Sequence, residues 1–136
     1  MHGMGGIGKT VLASMVANSD AIRDRFPDGV FWLTVSQDPD FVVRLTELAK
    51  WQGLKADFDT INEATGILKE HLKDQQVLLV LDDVWETKHI RPLDVAGPKG
   101  RTLITTRIKK VLDEFGARPH AIGQRLCSYR RNVGNL

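Results

Sequence analysis

Four glycines fall within the first eight residues of this chain, Met1-His2-Gly3-Met4-Gly5-Gly6-Ile7-Gly8, and Lys9-Thr10 follow directly. A run so rich in glycine makes a poor helix and a poor strand, because glycine loses the most conformational freedom on ordering. From Lys9 the pattern changes. Val11, Met15, Ile22 and Phe26 recur at helical spacing with Leu12 and Val16 beside them. This predicts a helix over about residues 9–25, stopped by Pro27-Asp28-Gly29.

Further along, Val30-Phe31-Trp32-Leu33-Thr34-Val35-Ser36 is rich in β-branched and aromatic residues and reads as a strand buried on both faces. Asp38-Pro39-Asp40 is a turn, and Asp40 caps a helix that runs to about residue 52 and ends at Gly53. Thr60 caps another, with Ile61, Ala64, Leu68 and Leu72 on one face. Val77-Leu78-Leu79-Val80-Leu81 is a short unbroken apolar run ending in Asp82-Asp83, the look of a central parallel strand. Arg101-Thr102-Leu103-Ile104-Thr105-Thr106 is another strand, followed by a helix over about residues 108–115. Residues 120–122 read as a last short strand. Strands separated by helices imply an α/β fold with a parallel sheet. Residues 124–136 show no periodicity and no caps, and are read as a disordered tail.

Gly3 to Thr10 fit the pattern G-x-x-x-x-G-K-[ST] at the correct spacing. Phosphates need several backbone N–H groups pointing inward at once. Glycines let a loop wrap that closely, and the following helix offers its positive N-terminus. Gly3, Met4, Gly5, Gly6, Ile7, Gly8, Lys9, Thr10 and Val11 are therefore the candidate nucleotide-binding residues. Lys9 reaches the β- and γ-phosphates, and the Thr10 hydroxyl is a magnesium ligand. Gly3-x-Gly5-x-x-Gly8 also matches the dinucleotide fingerprint. That reading wants an acidic residue at the end of the second strand, where Ser36-Gln37 stand, and it leaves Lys9-Thr10 and the aspartate pair without a purpose.

Carboxylates at the C-terminal end of a central strand sit where open α/β sheets bind ligands. A buried strand seldom ends in two acids unless a cation or a hydrogen-bond network compensates them. Asp82 is placed to hold magnesium, directly or through water and Thr10. Asp83 is placed to orient or deprotonate a water attacking the γ-phosphate. The bland alternative is a pair of ordinary loop carboxylates.

The formal net charge of +2 gives no warrant for nucleic acid, and the basic residues of the tail (Arg125, Arg130, Arg131) add little. Four histidines and one cysteine exclude a multi-cysteine zinc site and an internal disulfide; Cys127 reads as a reduced thiol. No stretch approaches the ~18 apolar residues of a membrane span. The N-terminus lacks a signal-peptide layout, which makes the cytoplasm the expected location.

Gly3 to Thr10, Val30 to Ser36, Leu78-Leu79-Val80-Leu81-Asp82-Asp83-Val84-Trp85 and Leu103-Ile104-Thr105-Thr106-Arg107 come in the order and spacing of an NB-ARC domain. The chain resembles this nucleotide-binding module of plant disease-resistance proteins and animal apoptosis-activating factors over about residues 3–123. The resemblance implies a P-loop NTPase three-layer sandwich with a mainly parallel sheet. It assigns residues 1–123 to a partial nucleotide-binding domain and 124–136 to a tail outside the family. It also implies adenine nucleotide (ADP and ATP) with Mg2+ as ligands, and Arg107 as a sensor of the γ-phosphate at a strand end. In such proteins ADP holds a resting state, exchange for ATP promotes self-assembly, and slow hydrolysis resets the switch. Trp85 is expected to pack under the loop, and Trp32 and Trp51 in the core; the four histidines carry no assigned role.

The chain departs from the family in one place that bears on its fold. An apolar strand precedes the glycine loop in the family, lying between the strand ending at Arg107 and the last one; here only Met1-His2 precede Gly3. The expectation is a fragment of a larger switch, with two sheet edges left unpaired. The family's adenine-proximal helical subdomain and winged-helix part are likewise not in the sequence. Two other functions stay open. A P-loop kinase or other working ATPase would need an acceptor pocket and an arginine-bearing lid, and no such segment lies between Asp83 and Arg107. A non-enzymatic decoy would have lost nucleotide binding altogether.

Overall fold

The computed structural model describes residues 14–15, 17–55, 57–115, 118–119 and 126–129. The glycine loop and the residues expected to form a strand at 120–122 lie outside that set. In chain order the elements are α1 (Asp20–Arg25), β1 (Gly29–Ser36), α2 (Phe41–Trp51), α3 (Ile61–Leu72), β2 (Val77–Val84), a 3-10 turn (Thr87–His89) leading into α4 (Ile90–Leu93), β3 (Arg101–Thr106), α5 (Lys109–Phe115), β4 (Arg118–Pro119) and β5 (Leu126–Tyr129). They form one sheet of order β1-β2-β3-β5-β4. β1, β2 and β3 are parallel neighbours, whereas β5 runs antiparallel to β3 and to β4.

The sheet has two faces, and strand alternation sorts the apolar residues between them. Leu33 and Val35 of β1, Val77, Leu79 and Leu81 of β2, and Ile104 of β3 face one side. There they pack against Leu45, Leu48 and Ala49 of α2, Ala64, Leu68 and Leu72 of α3, and Ile90 and Leu93 of α4. Leu78, Val80 and Leu103 face the other side with Ala17 and Phe26, joined by Ile22, Val30 and Trp32. The result is the α/β three-layer arrangement expected from the sequence.

The caps follow elementary chemistry. The carboxylate of Asp40 accepts from the Val43 amide, and the hydroxyl of Thr60 accepts from the Glu63 amide, so each supplies an acceptor to an orphan N–H of the first turn. Gly53 ends α2 at φ +74°, a left-handed conformation that glycine adopts without penalty. Gly97 is needed for close approach, since a β-carbon there would lie 2.7 Å from backbone atoms of Lys73.

Several expectations are corrected. Residues 9–13 of the single helix expected over residues 9–25 lie outside the described residues, and the rest is not continuous: the helical residues 14, 15 and 17 give way to a turn at Asn18, and Ser19 starts α1 afresh. Asn18 donates through its side chain to the Ser14 carbonyl, and the Ser19 hydroxyl caps Ile22, so two short polar side chains compete with the continuous helix. Met15 and Ile61, placed on apolar faces by spacing, are exposed.

β1 is an edge strand rather than one buried on both faces. Thr34 and Ser36 are exposed, and Val30, Phe31 and Trp32 are half-buried. Trp51 is likewise not in the core: it is 51% exposed and stacks on Phe31 with ring centroids 6.3 Å apart. Trp32 is only half-buried. The second edge of β3, expected to lie unpaired, is occupied by β5, which belongs to the segment for which the sequence offers no element. An open strand edge is a row of unsatisfied amides and carbonyls, and four residues of extended chain suffice to pair it.

Replacing fully buried Leu68 by alanine is expected to cost about 2–5 kcal/mol of stability, whereas the same change at its exposed neighbour Ile67 stays within ~0.5 kcal/mol. Urea unfolding of the two variants checks this.

Candidate functional site

The acids come together at the C-terminal edge of the parallel strands. β2 is buried along its whole length except at Asp83, which is half-buried. Asp82 itself is only 4% exposed. The strand does not stop before the acids, as its apolar run suggests, but continues through them. Its register against β3 is regular up to Leu81 opposite Ile104 and resumes with Val84 opposite Thr106. Two residues of β2, Asp82 and Asp83, therefore stand against one residue of β3, Thr105, which is the geometry of a β-bulge.

The bulge resolves a conflict in the sequence. Strict alternation would send Asp83 into the same apolar face as Leu79 and Leu81. Instead Val84 joins that core, and Asp83 is lifted out with φ +62°. A left-handed backbone is uncommon outside glycine, and aspartate is among the side chains that tolerate it best.

Hydroxyl groups on β3 hold the bulge. The Thr105 hydroxyl donates to Asp82 Oδ1 and accepts from the Asp83 amide at 2.8 Å. The Thr106 hydroxyl donates to the Val84 carbonyl at 2.6 Å and accepts from the Ile108 amide at 3.0 Å, which ties the strand end to the start of α5. Thr105 and Thr106 are 2% and 1% exposed. Neither was a candidate on sequence. The signal that marks them is a pair of hydroxyl residues closing an otherwise apolar buried strand, a position where a polar side chain must find a partner.

Arg107 follows at the mouth. Its guanidinium lies 4.0 Å from Asp83 Oδ1 and 5.3 Å from the ring centroid of Trp85. With Arg107 48% exposed, such contacts are worth at most about 1 kcal/mol, so they set the direction of the side chain rather than the stability of the fold. Trp85 is half-buried and serves as a platform for that arginine. Asp82, Asp83 and Arg107 are thus brought to one edge; Gly3 to Val11, with Lys9 and Thr10, lie outside the described residues. A cavity of about 250 Å³ beside the site, lined by Trp85, Glu86, Lys88, Ile108, Lys110 and Glu114 among others, is below the usual size of a small-molecule pocket.

The donor chemistry fits magnesium. Asp82 is a buried hard-oxygen donor that accepts from a neutral hydroxyl. Among the described residues no group of three or more His, Cys, Asp or Glu could surround a metal. Magnesium suits such a place because it takes one or two carboxylates and fills its shell with water and phosphate oxygens. Of the histidines left without a role, His89 is buried, with Nε2 3.4 Å from Glu86 Oε2, its ring inclined at 63° to that of Phe41, and no hydrogen-bond partner at Nδ1 among the described residues.

Three parallel strands in an α/β sheet, with paired acids at the end of the middle one and an arginine at the end of the next, match the fold of a P-loop NTPase. The chain belongs to the NB-ARC domain family, whose model matches residues 1–127. The family is a nucleotide-binding signalling module. The chain is similar to a probable disease resistance protein, RXW24L, of Arabidopsis thaliana (32% identical over 125 residues, covering 82% of this chain and 13% of that protein). It is similar to apoptotic protease-activating factor 1 of Danio rerio (34% identical over 125 residues, 83% and 10%). It is also similar to disease resistance protein RGA2 of Solanum bulbocastanum (34% identical over 118 residues, 80% and 12%). The chain therefore spans about a tenth of the length of these relatives.

Because Asp83 occupies a left-handed backbone, Asp83→Asn is expected to leave stability within ~0.5 kcal/mol, whereas the β-branched Asp83→Val loses about 1–2 kcal/mol. Thermal and urea melts of the two variants separate them.

Proposed function

We propose that this chain binds ADP and ATP as the phosphate- and magnesium-facing part of a signalling switch, acting in defence or cell-death signalling in the cytoplasm. The observation that carries the reading is the bulged acid pair: a carboxylate buried at the end of the central strand, with a second one lifted out of the core beside it and an arginine within reach. A sheet that needed only stability would place apolar residues there.

In this reading the backbone of Gly3, Met4, Gly5, Gly6, Ile7, Gly8 and Val11 cradles the phosphates together with Lys9, whose ammonium neutralises the β- and γ-phosphates. Thr10 and Asp82 hold magnesium, which when bound neutralises charge on the phosphate oxygens. Asp83 orients the attacking water. Arg107, held at the mouth by Asp83 and Trp85, distinguishes ATP from ADP through the γ-phosphate. Hydrolysis is slow, well below the ~1–100 per second of a kinase, because a switch stores the ATP state rather than consuming it. Self-association is assigned to proteins of the full length of these relatives, of which this chain matches about a tenth. No helix among the described residues is long and apolar enough to cross a membrane. With a formal net charge of +2, nucleic acid is not proposed as a partner.

Calorimetric titration of magnesium-ADP into the chain tests this. Binding is expected in the wild type and is expected to vanish in Lys9→Ala; a folded chain that binds no nucleotide removes the reading. Arg107→Ala is expected to weaken ATP about tenfold while leaving ADP nearly unchanged, the loss of one hydrogen bond to a charged group. Equal losses for both nucleotides would remove the sensor role.

A further inference from the structure

We infer that Thr105 is a positioning residue for the acid pair: its single hydroxyl orients Asp82 and holds Asp83 in its left-handed backbone, and so sets how strongly magnesium supports nucleotide binding. The inference rests on the nucleotide-binding reading above and adds to it a residue that the acid and glycine motifs do not contain.

The topology singles Thr105 out. It is the one residue of β3 that faces both bulged residues of β2. A threonine hydroxyl has one proton and two lone pairs. The Asp83 amide can only donate, so the hydroxyl must accept there, and its proton goes to Asp82 Oδ1. The chain of donors runs one way, from the Asp83 amide through the Thr105 hydroxyl to the Asp82 carboxylate, and each bond polarises the next. At 2% exposure Thr105 is closed off from bulk solvent. Asp82 is thereby fixed in rotation before any cation arrives, which is the role of an outer partner behind a metal-ligating carboxylate.

Two neighbours on the same strand serve as controls, because they carry the same chemistry without facing the acids. Thr102 donates to the buried carboxylate of Asp94 at 2.8 Å near the opposite end of β3. Thr106 bonds Val84 and Ile108 backbone groups. Removing either hydroxyl removes buried hydrogen bonds, but neither touches Asp82.

The test measures ADP affinity of the full chain with magnesium and without it, and takes the ratio. Thr105→Val is expected to reduce that ratio by about 10- to 100-fold, the usual effect of losing a partner behind a metal ligand, with magnesium-free affinity held within about threefold. Thr105→Ser, which keeps the hydroxyl, is expected to restore the ratio, and Thr102→Val to leave it at the wild-type value. Manganese titration followed by electron paramagnetic resonance, with ADP present, reads the same loss at the metal itself. If Thr105→Val does not fold, Thr105→Ala against Thr105→Ser carries the same comparison. A Thr105→Val or Thr105→Ala chain that binds ADP with the wild-type magnesium ratio overturns the role of Thr105 and leaves the nucleotide reading standing. A folded wild-type chain that binds no ADP overturns both.

Discussion

The burial of β2 is the constraint on which the rest of this molecule depends. Each of its five leading residues, Val77 to Leu81, is at most 4% exposed, and they divide between two apolar faces. A strand covered on both sides must satisfy all its backbone groups within the sheet, which ties β1 and β3 to it in fixed parallel register. The helices then follow, because the apolar stripes of α2, α3 and α4 have only that sheet face to bury against. A register slip of one residue would exchange the two cores wholesale, so the pairing is strongly specified.

The same burial creates the problem that the site solves. A central strand that delivers two adjacent carboxylates to its C-terminal edge cannot keep strict alternation, since one of them would enter the larger core. The bulge opposite Thr105 breaks the alternation at the one point where it must break, returns Val84 to the apolar face and leaves both acids at the edge. The strained backbone at Asp83 is over-determined by a regular strand on one side and a hydroxyl bond on the other. Stability and the proposed nucleotide chemistry are in this sense separate demands on one strand: Leu79 and Leu81 meet the first, and Asp82 and Asp83 are proposed to meet the second.

Much of this was legible in the residue order. The parallel strands, the Asp40 and Thr60 caps, the Gly53 stop and the acids at a strand end all rest on local chemistry: alternation, capping oxygens, glycine conformation and apolar run length. What was not legible depended on neighbours. The aromatic run of β1 looks like a central strand, yet its place at the sheet edge leaves Trp32 half-buried, and Trp51 stacks on Phe31 with much of its surface in solvent. The spacing from Lys9 to Arg25 looks like one helix, yet Asn18 and Ser19 supply local hydrogen bonds that end one turn and begin another. Both misreadings come from treating composition as position.

The sequence by itself determined the class of this protein, because a glycine loop before Lys9-Thr10, an apolar strand ending in Asp82-Asp83 and an arginine closing the next strand each impose chemistry through covalent neighbours alone. Only the tertiary structure decided which residues bond the acid pair from a distance. Thr105 lies more than twenty residues from the acids it bonds, and no local pattern distinguishes its hydroxyl from those of Thr102 and Thr106. The difference is register: pairing β3 with a bulged β2 places one threonine opposite two carboxylates, and register is a property of two strands together rather than of either sequence.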